Sequence, residues 1–332
     1  MASTLKRVLI GRPLASDEAD HQRISKTIGL AVFSSDAISS TAYATGEILI
    51  VLVGAAGMIR ANGQPTTDLL KPIAVLVVIL LALVANSYRE TIHAYPDGGG
   101  AYVVARENLG EIPSLVAGAS LLVDYVLTVA VSVASGVDNI ISAIPALNPF
   151  RVEIAVGFII LLAAVNLRGV RESSKAFAVP TYLFIASIGV MIVVGLARTI
   201  LGDAPIAESA GFEVRAESLT QAAIILLLLR SFASGCAALT GVEAIANGVP
   251  AFRKPKIQNA QKTLVAMGLI AITLFSGLVI LALISGVHYA EDACHLIGFA
   301  DCETVPQRSL IAQIASSTFG NNSLPFFIIQ AA

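Results

Sequence analysis

Asp36 stands in the stretch FSSDAISSTAYATGE, Phe33 to Glu47, inside an apolar run long enough to enter a membrane. Serines, threonines, Tyr43 and a glycine surround it, and Asp36, Ser40, Tyr43 and Glu47 share one face if the helix is continuous. A second acid, Asp124, lies in LLVDYVLTVAVSVASG, where Thr128 and Ser132 follow at i+4 and i+8 and Ser135 extends the stripe. A third, Glu243, lies one helical turn beyond Thr240 in RSFASGCAALTGVEAIANG. A charged residue at the centre of a spanning helix costs about 2.5–3.5 kcal/mol on insertion scales. Such acids persist where they face a water-filled pathway, a counter-ion or a proton relay. Carboxylates among hydroxyls and backbone carbonyls are hard oxygen ligands, suited to an alkali cation rather than a soft metal. Asp36 and Glu243, both in interrupted helices, are the candidates for taking up a proton. Two other uses of these groups stand beside this one. Arg230, itself inside a span, can pair with one acid. Thr128 or Ser132 can bond back to a carbonyl one turn earlier.

The elements that must hold these groups are membrane helices. Hydrophobic residues make up 56% of the 332 and charged residues 13%, so lipid is the solvent this chain fits. Apolar segments fall near 27–57, 72–88, 113–137, 152–167, 177–197, 219–249, 263–287 and 309–332. This predicts about eight spans in an all-α membrane protein, 27–332, behind a polar N-terminal tail, 1–26. The tail is too polar to be a cleaved signal peptide. One set of loops gathers Lys6, Arg7, Arg12, Arg23, Lys26, Arg89, Arg106, Arg168, Arg171, Lys175, Arg253, Lys254, Lys256 and Lys262. The opposite set carries only Arg60, Lys71, Arg151, Arg198, Arg215 and Arg308. The N-terminus is therefore expected on the cytoplasmic side of the plasma membrane. Cys294 and Cys302 then share an outer loop, where a disulfide is permitted.

The first and sixth segments are both long, both interrupted by small and polar residues, and five spans apart, so they run in opposite directions. Corresponding interrupted segments in two inverted halves mark a transporter's binding site. Kinks made only for packing are the plainer alternative. Nothing indicates an enzyme: there is no nucleotide loop, no HExxH, no nucleophile elbow, and the four histidines fall in polar ends or loops. No basic stripe suggests nucleic acid, and no cofactor is implied.

At SSDAISSTAYATGEIL, YPDGGGAYVVARENLG and LTGVEAIANGVPAF the chain resembles the amino acid–polyamine–organocation superfamily, and within it the KUP-type proton-coupled potassium importers of the KimA-like branch. The resemblance covers essentially the whole chain. It implies a LeuT-like fold of inverted repeats with broken first and sixth helices, working by alternating access. It also implies a potassium site on Asp36, Tyr43, Asp124, Thr128, Ser132, Thr240 and Glu243. Tyr125, Glu47 and Arg230 are expected as gating or supporting groups. Backbone around Ser39 and Gly241 is expected to unwind, Gly235 and Gly248 to break the sixth helix, and the loop from Pro96 to Gly110 to act as a cytoplasmic gate. Importers of this kind carry ten core spans and a cytosolic C-terminal domain, so the sequence is expected to be part of a longer protein. Lipid, potassium and protons are the expected partners, with a homodimer as assembly. An amino acid or polyamine permease of the same superfamily is the alternative, although Asp36 would repel a substrate carboxylate. A cation sensor that moves nothing is the second.

Overall fold

The computed structural model describes residues 23–54, 66–167, 170–214, 220–299, 302 and 305–332. Most of the expected N-terminal tail and Arg60, Arg168 and Arg215 of the loop-charge argument lie outside the described residues, as do the side chains of Arg171 and Lys175.

Ser25 opens the first helix: its Oγ accepts the Ile28 N–H at 3.4 Å, satisfying one donor at the start of α1 (Lys26–Phe33). Ser34, at φ −110° and ψ −3°, separates α1 from α2 (Ser35–Gly54). The carbonyls at this break find side-chain donors, Thr181 Oγ1 to Ala31 O at 3.2 Å and Ser35 Oγ to Val32 O at 3.3 Å. The break thus lies at Ser34, and Ser39, expected there, sits within the regular helix. The long helices α3 (Leu70–Ala94), α5 (Glu111–Ala143), α6 (Arg151–Asn166) and α7 (Val170–Ile200) follow, with the short α4 (Gly100–Leu109) between α3 and α5. Strand β1 (Glu213–Val214) leads to α8 (Gln221–Gly235), a 3-10 turn at Cys236–Leu239, α9 (Ala244–Asn247) and α10 (Lys256–Ser285). Beyond it, β2 (Leu296–Ile297) pairs antiparallel with β1, and α11 (Leu310–Phe319) and α12 (Leu324–Ala331) close the chain.

Seven helical stretches among the described residues are long and apolar enough to cross a membrane. The expected eighth, 309–332, is not one span. Ser309 caps the ten-residue α11, and Gly320 at φ 88° and Asn322 at φ 59° turn the chain before Ser323 caps α12. At 1.5 Å per residue α11 reaches about half of a ~30 Å hydrocarbon core. It is instead tucked into the protein, with Ala312, Gln313, Ile314 and Ala315 fully buried.

Burial sorts the helices into two classes. α2 and α10 are the most enclosed spans, with Ile38, Ile48, Leu52, Leu264, Met267, Phe275 and Leu278 fully buried among Ile73, Val77 and Leu81 of α3. α6 has no buried residue and presents Val152, Ile160 and Leu161 outward. With lipid outside, that exposure is favourable rather than costly.

The two interrupted segments interlock. Ile24 pairs in parallel with Phe252, and Ile24 N–H bonds Ala251 O at 2.9 Å. A Cβ at Gly29 would lie 2.5 Å from the Phe252 ring, and one at Gly248 2.6 Å from the Phe33 ring. Each glycine therefore makes room for the other segment's phenylalanine, and the two rings rest 5.6 Å apart. Further along, Gly235 at the end of α8 admits Ile48 and Val77, whose atoms a Cβ there would meet at 2.9 and 3.1 Å.

Candidate functional site

Where the broken segments cross, Asp36 occupies the first turn of α2, the positive end of a helix, where an anionic side chain is favoured. Its carbonyl accepts Ser39 Oγ at 3.1 Å and Ser40 Oγ at 2.7 Å. The fully buried Ser40 hydroxyl also lies 2.9 Å from Tyr43 Oη and 2.7 Å from Thr240 Oγ1, and Thr240 Oγ1 lies 2.9 Å from Ala237 O. Tyr43, Ser40 and Thr240 bring one proton each to these contacts, and each oxygen has two acceptor sites, so lone pairs remain for a cation. Gly241 adopts φ 76°, and a Cβ there would stand 2.6 Å from Asp36 Oδ2. Only glycine combines this left-handed backbone with so close an approach.

Asp36, Ser35, Ser39, Tyr125, Thr128, Ser132 and Thr181 supply the polar lining of a cavity of about 610 Å³, walled by Val129, Phe177 and Phe184 among others. Ser132 Oγ is buried with no hydrogen-bond partner, so it does not bond back to a carbonyl one turn earlier. The face α5 turns to the cavity runs through Tyr125, Thr128, Val129, Ser132 and Val133. Asp124, expected at the head of this stripe, is half-buried beside the lining and within electrostatic reach of Asp36. Among the described residues no three His, Cys, Asp or Glu side chains converge as metal ligands. Neutral oxygens would therefore supply most of a cation's shell here.

Glu243 departs from the expected site. Thr240 has ψ 146° and Gly241 φ 76°, so the helical spacing that put Thr240 and Glu243 on one face does not hold. Thr240 turns to Ser40, whereas the buried Glu243 accepts Tyr88 Oη at 2.8 Å and Asn247 Nδ2 at 2.7 Å. Asn247 Nδ2 also reaches Tyr125 Oη at 3.2 Å. The Asn247 amide thus links Glu243 to Tyr125, which lines the cavity. Gly248 serves the turn after α9, facing Phe33. Arg230 is exposed on α8 and forms no ion pair among the described residues, so it does not neutralise an acid.

Glu47 lines a separate cavity of about 200 Å³ with Tyr43, Ser135, Asp138, Asn139, Tyr289 and Ser309. Asp138 is paired there with Arg151 at 2.6 Å. Burial, with the carboxylates of Asp138 and Glu47 beside it, pushes the Tyr289 hydroxyl up to about 12, so it remains a donor at neutral pH. Cys294 and Cys302 are joined in a disulfide, and Cys236 is free. The groups that sequence reasoning missed are Tyr88, Asn247 and Thr181. Their hydrogen bonds to Glu243, Tyr125 and Ala31 include pairings across more than a hundred residues, for which no local pattern exists.

A model of the amino acid permease family matches residues 30–290. The potassium transporter KimA of Bacillus subtilis (strain 168) is 44% identical over 334 residues, 99% of this chain and 50% of that protein. The chloroplastic cationic amino acid transporter 7 of Arabidopsis thaliana is 32% identical over 169 residues, 46% of this chain and 28% of its own. The probable potassium transport system protein Kup 1 of Bradyrhizobium sp. (strain ORS 278) is 29% identical over 153 residues, 42% of this chain and 24% of its own. The chain thus spans half the length of the first of these relatives and less of the others. With its family model covering most of the sequence and its first and sixth segments broken as the LeuT-like fold requires, the chain belongs to the amino acid permease family of integral, multi-pass membrane proteins.

Proposed function

We propose that the protein is a secondary transporter that imports potassium together with protons by alternating access. The observation that carries this reading is Asp36. It stands in the first turn of a broken helix, at a cavity whose other polar groups, Ser35, Ser39, Tyr125, Thr128, Ser132 and Thr181, are neutral hydroxyls, with the Tyr43–Ser40–Thr240 hydroxyls behind it. A zwitterionic amino acid would need donors for its carboxylate at this place and would meet a carboxylate instead. The relatives named as potassium transporters support the same reading. In it, the N-terminus is cytoplasmic in the plasma membrane, residues 27–332 belong to the transport domain, and the protein works as a homodimer.

A second reading has its own observation. A cavity of about 610 Å³ is far larger than a bare alkali cation, and one relative is named as a cationic amino acid transporter. An organic cation such as a polyamine would place an ammonium group at Asp36 and its chain along Val129, Phe177 and Phe184.

The two are separated by rubidium-tracer uptake into liposomes holding the purified protein, with and without an inward proton gradient. Potassium should compete and the gradient should accelerate uptake. If a polyamine or a cationic amino acid suppresses uptake and potassium does not, the organic-cation reading replaces the first.

A further inference from the structure

The turn Gly98–Gly100 lies directly against α9. A Cβ on Gly98 would meet Asn247 O at 2.7 Å, and one on Gly100 would stand 2.8 Å from Glu243 Oε1 and collide with Asn247 Oδ1. All three glycines of the run have positive φ. No side chain is therefore tolerated where this turn packs against α9 and Pro250. Beside the buried Ile245 and Ala246, one carboxylate ties α9 to its neighbours by hydrogen bonds. Glu243 Oε2 takes the Tyr88 hydroxyl of α3, and Oε1 takes the Asn247 amide, which also reaches Tyr125 of α5. Tyr88 is the only one of these partners supplied from α3, and it does not line the 610 Å³ cavity.

We infer that Tyr88 is a positioning residue for the contact between this turn and α9: its hydroxyl holds Glu243 against the Gly98–Gly100 turn, outside the lining of the cation cavity, and so keeps the turn and α9 together. The inference rests on the transport reading above for its purpose, not for its geometry. Without the hydroxyl, one oxygen of a buried carboxylate has no donor, which is costly enough to release the side chain from this arrangement. The turn and α9 then separate more often, while Asp36, Thr128 and Ser132, which make no hydrogen bond to Tyr88 or Glu243, keep their places.

The test is hydrogen–deuterium exchange of the Tyr88→Phe protein in lipid nanodiscs, paired with rubidium uptake kinetics. Amides in 96–110 and 243–252 should exchange roughly tenfold faster than in the parent, as expected for losing a hydrogen bond to a charged group. Those of α6 and α10 should be unchanged. KM for the cation should stay within about twofold while the maximal rate changes, because neither Tyr88 nor Glu243 lines the cavity. Gly100→Ala, which forces the turn off α9 by a different route, should accelerate exchange in the same two regions. Unchanged exchange there in Tyr88→Phe overturns the inference, and so does a uniform rise across all spans. If uptake is absent in the parent as well, the transport reading falls, and the exchange result still decides the role of Tyr88.

Discussion

Replacing Gly241 by alanine adds one methyl group at the point where the two broken segments touch. That carbon would lie 2.6 Å from Asp36 Oδ2, 2.8 Å from Asp36 Cβ and 2.9 Å from Ala37 N. Carbon atoms pack at about 3.5–4.0 Å, so the start of α2 must retreat by about 1 Å to admit it. Alanine at φ 76° adds strain of about 1–2 kcal/mol. The carboxylate at the cavity then moves by about 1 Å, a displacement that in precisely assembled sites costs roughly a hundredfold in rate. Rubidium uptake into liposomes should fall at least tenfold, while the amount of inserted protein, read by surface labelling and gel filtration, stays close to that of the parent. Gly157→Ala in α6 is the matched control, since a Cβ there meets nothing within 4 Å; its uptake should be normal and its stability equal or slightly higher. Normal uptake in Gly241→Ala would refute the claim that this contact sets the position of Asp36.

Thr128→Val and Ser132→Ala keep side-chain volume near that of the parent and remove one oxygen each from the cavity wall; each should raise the KM for rubidium several-fold, with little change in insertion. Arg151→Ala breaks the pair with Asp138, whose two side chains are 53% and 29% exposed, so thermal unfolding should show a loss of at most about 1 kcal/mol. Peptide mapping of protein kept under non-reducing conditions should recover Cys294 and Cys302 as one linked species, with Cys236 alone alkylated; free thiols at both loop positions would contradict the structure and the outer placement of that loop.

Much of the site could be read from residue types because the bilayer makes polarity expensive: Asp36, Thr128 and Ser132 stand out in an apolar run, and the cavity gathers all three. What sequence misjudged was direction. Glu243 and Thr240 look like neighbours on a helix, but the extended backbone at Thr240 and the left-handed Gly241 turn them to opposite sides. Ser39 looked like a place for unwinding, yet its hydroxyl and that of Ser40 bond back to the Asp36 carbonyl within a regular helix. In the last segment hydropathy outweighed a turn signal, GNNS, that was present in the residues themselves. The Tyr88 partnership with Glu243 joins residues 155 apart, and nothing local announces it.

We propose that the Asp36 carboxylate, with the hydroxyls around it, holds potassium. Calorimetric titration of potassium into the purified protein and its Asp36→Asn variant tests this most directly. Binding should be saturable in the parent and weakened at least tenfold in the variant, since the amide keeps the shape and loses the charge. Equal affinities in the two proteins would contradict it.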